Sequence, residues 1–133
     1  MQAPPLARID HFVLTVADID ATCAFYETAL GMQAERFAAA DGTTRTALKF
    51  GAQKINLHQR GREFEPKALS PAPGSADFCL ISDAPAEAWL AHLTACGIAI
   101  EDGPVPRTGA TGPLVSIYLR DPDGNLVEIA RPV

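Results

Sequence analysis

The first half of the chain alternates strand-like stretches with one stretch of helical period. Residues 8–16, RIDHFVLTV, are rich in β-branched and aromatic side chains, which predicts a strand. Asp18 then offers an N-cap to a helix, IDATCAFYETAL, that ends at Gly31. The apolar positions of this helix recur at helical spacing, so one face is expected to pack against a sheet. Three more strands are predicted, at residues 32–37, 43–50 and 54–59.

The second half shows the same alternation after a polar stretch, residues 61–74, that contains three prolines and is typical of a linker. Its predicted elements are a strand at 75–82, a helix at 86–96, a short strand at 98–102, a Gly- and Pro-rich loop at 105–113, and strands at 114–120 and 126–130. The turn DPDGN joins the last two strands. The order is again β-α-β-β-β.

The two halves align as an internal repeat. A shift of 66 residues places Asp77 on His11 and Gly97 on Gly31. In the strand half, a shift of 70 places Glu128 on His58. The simplest interpretation is a duplicated unit, with module 1 at about 8–60, a linker at about 61–74 and module 2 at about 75–132, all in a single domain. Chance similarity between two short α/β halves is the alternative.

The repeat brings four side chains of metal-ligating types to equivalent places: His11 and Asp77 on the first strands, His58 and Glu128 on the last. Strand alternation puts each of them on the face opposite the helix-packing residues. Taken singly, a strand histidine is more often a hydrogen-bonded residue, Asp77 could cap a turn, and Glu128 could pair with a nearby arginine. An ionised carboxylate in an apolar strand nevertheless needs a partner, and the set together predicts a metal site.

Composition and charge limit the kinds of molecule that the protein is expected to bind and the compartment in which it is expected to lie. The chain has 133 residues, 47% of them hydrophobic, a formal net charge of −5 and no basic run, which argues against nucleic acid. It has no apolar run of the roughly 20 residues that span a bilayer, and its first residues lack the pattern of a signal peptide. The three cysteines show no CxxC spacing, so we expect a reduced, cytoplasmic setting with Cys79 and Cys96 as packing residues.

Three segments carry a resemblance to a known family: IDHFVLTVADIDATCAFYETALGM, KINLHQ and YLRDPDGNLVEIARP. They resemble the vicinal oxygen chelate superfamily, which includes glyoxalase I, bleomycin and fosfomycin resistance proteins, methylmalonyl-CoA epimerase and extradiol dioxygenases. The most similar members are small single-domain proteins labelled glyoxalase-like or virulence-associated. The motif of a strand, DPDGN and a strand carrying glutamate is specific for the superfamily but not for one activity.

The resemblance implies an α+β fold in which two βαβββ modules form a curved mixed sheet around a metal site. It places the ligands on the first and fourth strands of each module, hence at His11, His58, Asp77 and Glu128. Asp77 departs from the histidine, and His58 from the glutamate or glutamine, that many members have there. Such a set suits Zn²⁺, Ni²⁺, Mn²⁺ or Fe²⁺. The family also implies a homodimer, with modules paired either within a chain or across two.

The expected function is Lewis-acid activation of a small oxygenated metabolite or xenobiotic by a glyoxalase-like lyase, isomerase or transferase, with a possible thiol co-substrate such as glutathione. Glu128 and Asp77 are the candidate catalytic carboxylates, Asp77 as a general base. An Fe²⁺-dependent extradiol-type dioxygenase and a non-catalytic antibiotic-binding protein of the bleomycin-resistance type are the alternatives. Candidate substrate contacts are the following side chains, the first two on a loop that either closes over the site or is an ordinary flexible connection: Arg107, Thr108, Tyr118 and Arg45.

Overall fold

The computed structural model describes residues 1–133. Eight strands and two helices follow one another as β1 (His11–Val16), α1 (Ile19–Leu30), β2 (Gln33–Ala38), β3 (Thr44–Phe50), β4 (Gln53–Gln59), β5 (Asp77–Ile81), α2 (Ala86–Ala95), β6 (Asp102–Thr108), β7 (Pro113–Arg120) and β8 (Leu126–Pro132). Neither helix is long and apolar enough to cross a membrane.

The strands form two four-stranded mixed sheets of identical topology. The first has the order β1-β4-β3-β2 and the second β5-β8-β7-β6. In each sheet the first and fourth strands of the unit run parallel, and the remaining neighbours run antiparallel. The predicted α+β class and the duplicated β-α-β-β-β order are therefore confirmed.

Helix α1 begins and ends where the sequence predicts. The Asp18 carboxylate accepts a hydrogen bond of 2.8 Å from the backbone N–H of Ala21, which satisfies one of the free donors of the first turn. Gly31 has φ +67° and donates its N–H to the carbonyl of Glu27 at 3.2 Å. Between these caps the helix buries Cys23 and Tyr26 against the first sheet.

The helices cover one face of each sheet and leave the other face open. Ile55 and Leu57 of β4 lie in one buried cluster, and Val127 and Ile129 of β8 lie in a second. The two clusters share partly buried residues (Phe25, Leu30, Phe78 and Leu80), so both modules pack on one continuous core. Because side chains alternate along a strand, the intervening residues Asn56, His58 and Glu128 point away from the helices. We call this side of each sheet its open face.

The third strand of the second module differs from the sequence prediction. Residues 98–102 were expected to be the strand and 105–113 a loop, whereas β6 runs from Asp102 to Thr108 and pairs with β7. Two prolines are tolerated there because β6 is an edge strand, with a register shift between Asp102 and Val105. Only residues 109–112 form a turn, closed by a 2.8 Å hydrogen bond from the N–H of Gly109 to the carbonyl of Gly112. Arg107 and Thr108 are thus strand residues, and the prediction that they lie in a loop is wrong.

A buried carboxylate ties the last turn to helix α1. Asp121 is 5% exposed and accepts hydrogen bonds from the Tyr26 hydroxyl at 2.8 Å and the Asn125 side-chain amide at 2.8 Å. The backbone N–H groups of Asp123 and Asn125 donate to its other oxygen at 3.0 and 2.9 Å. Burial, and then the charge of Asp121, raise the pKa of Tyr26, which keeps the phenol protonated as a donor. The DPDGN segment is therefore a structural lock between the modules.

Candidate functional site

The register of the first sheet separates the two histidines that the sequence grouped together. On β1, His11 lies opposite Lys54, and Thr15 lies opposite His58. Four residues of strand therefore separate the positions of His11 and His58, a distance of roughly 13 Å. The structure does not bring these two imidazoles together.

The counterpart of Glu128 in the first module is Asn56, not His58. Glu128 lies opposite Cys79 on β5, two residues beyond Asp77, and Asn56 lies opposite Val13 on β1, two residues beyond His11. The predicted shift of 70 residues is therefore wrong by two. It assumed turns of equal length, whereas two residues (51–52) separate β3 from β4 and five residues (121–125) separate β7 from β8.

Asn56 is a candidate site residue that the sequence reasoning missed. Its Oδ1 is buried and has no hydrogen-bond partner in the protein. Leaving a buried acceptor unpaired costs about 1–3 kcal/mol, so such atoms commonly have a ligand or water as partner. The signal available in the sequence was its position on the open face, between the buried residues Ile55 and Leu57.

His11 lies at the start of β1 with about half of its side chain exposed. Its Nδ1 is 2.8 Å from Oδ2 of Asp10, and this hydrogen bond lowers the pKa of the Asp10 carboxyl. When Nδ1 donates to Asp10, Nε2 keeps its lone pair, which is the tautomer that a metal ligand needs. His11 and Asn56 together are named the His11 group.

Glu128 lies on the open face of the second sheet and accepts a 2.6 Å hydrogen bond from the Ser116 hydroxyl. Its cross-strand neighbours are Cys79 on β5 and Tyr118 on β7. Cys79 is exposed, so its predicted packing role is wrong. The sulfur itself is partly desolvated by its neighbours, and this, followed by the charge of Glu128, raises the pKa of the Cys79 thiol to about 11, which keeps it protonated at neutral pH. These four residues (Glu128, Ser116, Cys79 and Tyr118) are named the Glu128 group.

Glu128 forms no ion pair with Arg120, because that guanidinium is already paired with Glu101 through two hydrogen bonds of 2.9 and 2.8 Å. This pair lowers the pKa of Glu101 and raises that of Arg120. Asp77 is exposed and lies opposite Leu126, one alternation away from Cys79 and Glu128. It lies on the same open face as Glu128 and is offset from it by two residues, as His11 is offset from Asn56.

Two of the predicted substrate contacts meet beside Glu128. Arg107 donates from Nε to the Tyr118 hydroxyl at 2.8 Å, and its guanidinium lies 5.3 Å from the centre of the Tyr118 ring. Asp102 holds the same guanidinium at 3.6 Å. Thr108 is exposed at the end of β6. Arg107 therefore adds one positive charge to the surroundings of the Glu128 group.

Arg45, the remaining predicted contact, belongs to the surroundings of His58. Its guanidinium lies 3.5 Å from the centre of the Phe64 ring, and Asp41 binds it at 2.8 Å. The Phe64 ring contacts His58 edge-on, with 5.5 Å between the ring centres. Burial, and then the charge of Arg45, lower the pKa of His58, so its imidazole is neutral at pH 7.

The four predicted ligands form no complete site within one chain. Nowhere in residues 1–133 are three His, Cys, Asp or Glu side chains close enough together to hold a metal ion. The chain instead presents two partial donor sets: the imidazole and amide oxygen of the His11 group, and the carboxylate of the Glu128 group.

Sequence comparison identifies the family. The model of the Glyoxalase/Bleomycin resistance protein/Dioxygenase superfamily matches residues 8–129, nearly the whole chain. The chain belongs to this superfamily. The expectation drawn from the DPDGN motif and the two strands around it is thereby confirmed.

Within the superfamily, the chain is 56% identical over 126 residues to virulence protein STM3117 of Salmonella typhimurium, covering 95% of this chain and 85% of that protein. The crystal structure of STM3117 has a TM-score of 0.92 to this chain and covers 98% of it and all of the STM3117 chain, at 55% identity. An integron cassette protein from the mobile metagenome of V. cholerae has a TM-score of 0.91 at 52% identity, covering 98% of each chain. Lactoylglutathione lyase from Agrobacterium tumefaciens has a TM-score of 0.69 at 27% identity and covers 96% of this chain and 95% of its own.

Proposed function

We propose that the protein is a metal-dependent enzyme of the glyoxalase superfamily whose metal is shared between two copies of the chain. The His11 group of one copy and the Glu128 group of the other supply the ligands, and the substrate is a small oxygenated metabolite or xenobiotic. The observation that carries the proposal is the buried oxygen of Asn56, which has no hydrogen-bond partner within the chain. The other donors are divided between two open faces, and no three ligand side chains lie together in one chain.

The donor atoms fit a divalent ion once the two sets are combined. An imidazole nitrogen, an amide oxygen and a carboxylate oxygen are ligands that Mn²⁺, Fe²⁺, Ni²⁺ and Zn²⁺ accept in proteins. Asp10 orients His11, and Ser116 orients Glu128, which is the support that metal ligands commonly receive from neighbouring groups. A bound ion would polarise a substrate oxygen as a Lewis acid.

Exposed apolar residues at the edges of both sheets favour a second copy as the partner. β1 and β5 are edge strands. Ile9 just before β1, Val13 within it and Ile81 at the end of β5 are 64%, 45% and 60% exposed. Apolar side chains on unpaired edges are commonly covered in an assembly. By strand alternation, Val13 lies on the same open face as His11, and Ile81 on the same open face as Cys79. A homodimer that covers these two side chains therefore brings open faces of two chains together, which the divided donor set requires.

The remaining roles follow from contacts of the chain itself. Arg107, held beside Tyr118, supplies a cation for an anionic group of the substrate. Asp77 is exposed on the same open face, where its carboxylate can serve as a general base. The protonated thiol of Cys79 next to Glu128 is a weak nucleophile, so we assign it no covalent role.

Within this proposal the reaction class is a glyoxalase-like lyase or isomerase, or a thiol transferase, located in the cytoplasm. The likeness to a lactoylglutathione lyase supports the first class and makes glutathione the thiol to test first. The Fe²⁺-dependent dioxygenase remains a prediction from the sequence alone. Binding of an antibiotic without turnover is the second candidate, favoured by the lack of three ligand side chains in any one chain.

Protein purified without chelators is expected to retain about one divalent ion per chain, because two symmetric sites in a dimer give one for each copy. Elemental analysis measures the ion. Turnover is then screened with the methylglyoxal–glutathione adduct, with fosfomycin and thiols, and with catechols in the presence of Fe²⁺. Chelator-treated protein is the control and should lose activity that returns on adding the ion. Saturable binding of a bleomycin-like drug by metal-free protein, without turnover of any substrate, contradicts the enzymatic proposal.

A further inference from the structure

The carboxyl-terminal ends of the two helices meet on the side of the sheets opposite the open faces, and four donor atoms converge there. His92 in the last turn of α2 places its Nε2 atom 3.1 Å from the carbonyl oxygen of Thr28 and 3.0 Å from that of Ala29. The sulfur of Cys96, one helical turn further along, lies 3.8 Å from the same nitrogen and 4.0 Å from the Thr28 oxygen. We call these two side chains and two carbonyl oxygens the helix-end site.

The two carbonyl oxygens belong to the last turn of α1, where a helix has no further N–H groups of its own to satisfy them. The N–H of Gly31, the first residue beyond the helix, bonds to the carbonyl of Glu27 instead. The last turn of α1 also carries no basic side chain, so the partial negative charge at this end of the helix has no cation beside it. The polar partners of both oxygens are therefore side chains of α2.

Capping of α1 by His92 explains only part of this arrangement. The imidazole N–H can satisfy the carbonyl oxygens by itself, whereas the contacts of the Cys96 sulfur are long for hydrogen bonds. The spacing of the four donors is instead close to that of ligands around one metal ion, because atoms bound to Zn²⁺ at about 2.0–2.3 Å lie roughly 3–4 Å from each other. Imidazole nitrogen and thiolate sulfur are the ligands that Zn²⁺ most often has in proteins.

A recess of about 260 Å³ opens beside the helix-end site and gives a hydrated ion access to it. Thr28, Ala29 and His92 line one part of the recess, and Trp89 lines another. The Trp89 ring lies edge-on to the His92 ring, with 6.0 Å between the ring centres. Its own Nε1 donates to the Ser82 hydroxyl at 2.9 Å, so the wall beside the imidazole is fixed in position.

We propose that the helix-end site binds Zn²⁺ through the Nε2 atom of His92, the sulfur of Cys96 and the two carbonyl oxygens of α1. On binding, the thiol releases its proton to solvent, the imidazole carries its one proton on Nδ1, and both lone pairs are donated to the ion. The ion then joins α1 of the first module to α2 of the second. Neither His11 nor Glu128 takes part. Because only two ligands are side chains and solvent has access, this ion exchanges readily and is removed by dialysis.

The test titrates reduced, metal-free, full-length protein with Co²⁺, which occupies zinc sites and absorbs in the near ultraviolet when a thiolate is bound to it. The wild type is expected to form this band with a dissociation constant of about 10 µM. Added Zn²⁺ binds more tightly than Co²⁺ and should abolish the band. Cys96→Ser should not form it. Cys79→Ser is the matched control and should keep the band, because Cys79 lies on the open face of the second sheet.

His92→Gln separates the role of a metal ligand from that of a helix cap. The glutamine amide keeps an N–H group for the carbonyl oxygens of α1 and lacks the imidazole. The melting temperature of the metal-free variant should therefore stay close to that of the wild type, while its affinity for Co²⁺ and Zn²⁺ falls at least about tenfold. Glu128→Ala should keep the band, so failure of the shared metal site leaves this result unaffected.

Three results would overturn the helix-end site. The first is a wild type that forms no band below about millimolar Co²⁺. The second is a band that persists in Cys96→Ser, or that disappears in Cys79→Ser instead, since the thiolate ligand would then be another cysteine. The third is a His92→Gln variant that binds both ions as tightly as the wild type, which would leave His92 with the role of a helix cap alone.

Discussion

Replacing Glu128 or His11 by alanine is expected to lower the metal content of the purified protein from about one ion per chain to less than about a tenth of that. Each change removes one ligand, and the loss of even a supporting residue around a metal commonly costs 10–100-fold in affinity. Elemental analysis after dialysis measures the bound ion. Turnover of any substrate found in the screen should fall with it.

His58→Ala is the matched control for His11→Ala, because both histidines lie on the open face of the same sheet. The β1–β4 register separates them by four residues of β1, and His58 packs against the Phe64 ring instead. His58→Ala should therefore keep its metal. Equal loss of metal from His58→Ala and His11→Ala would instead support the ligand set predicted from the sequence, and would contradict the role given to Asn56.

Asp121→Ala is expected to lower the free energy of unfolding by about 3 kcal/mol or more, because each buried donor left without an acceptor costs about 1–3 kcal/mol. Four donors lose their acceptor, among them the buried hydroxyl of Tyr26 and the side chain of Asn125. Asn125 in turn holds the N–H of Ala76 just before β5 at 2.9 Å, so the damage extends into the second sheet. Urea denaturation followed by circular dichroism measures the loss.

Asp123→Ala in the same turn is the control. The Asp123 carboxylate accepts only long contacts of 3.3 and 3.4 Å from the N–H of Ala17, and burial raises its pKa. Its replacement should cost less than about 1 kcal/mol. Tyr26→Phe removes one donor and keeps the acceptor, so a loss of about 1–3 kcal/mol is expected. If Asp121→Ala costs no more than Asp123→Ala, the DPDGN segment does not lock the modules together.

Local signals were sufficient for most of the fold. The N-cap Asp18 and the C-terminal Gly31 delimit α1 because capping depends on residues close in sequence. Alternation was enough to assign the open faces, since Ile55 and Leu57 of β4 and their counterparts on β8 are buried. β6 was missed because its prolines are tolerated only at the edge of a sheet, and the edge position follows from pairing with β7.

The candidate site was predicted less completely, for two physical reasons. The pairing of parallel strands is fixed by hydrogen bonds between distant segments, and the unequal lengths of the β3–β4 and β7–β8 turns made His58 look like the counterpart of Glu128. The unpaired state of Asn56 Oδ1 depends on what surrounds it in the folded chain, which no local pattern reports. The types and faces of His11 and Glu128 were predictable, whereas their division between two partial sets was not.

The sharing of each metal between two copies is tested most directly by mixing the His11→Ala and Glu128→Ala proteins. The two variants are unfolded together, refolded and loaded with the ion. Random pairing makes half of the dimers mixed, and each mixed dimer contains one site with neither substitution. Metal content should then rise from near zero in each variant alone to about a quarter of an ion per chain in the mixture. A mixture that stays as empty as its two components would contradict the shared site.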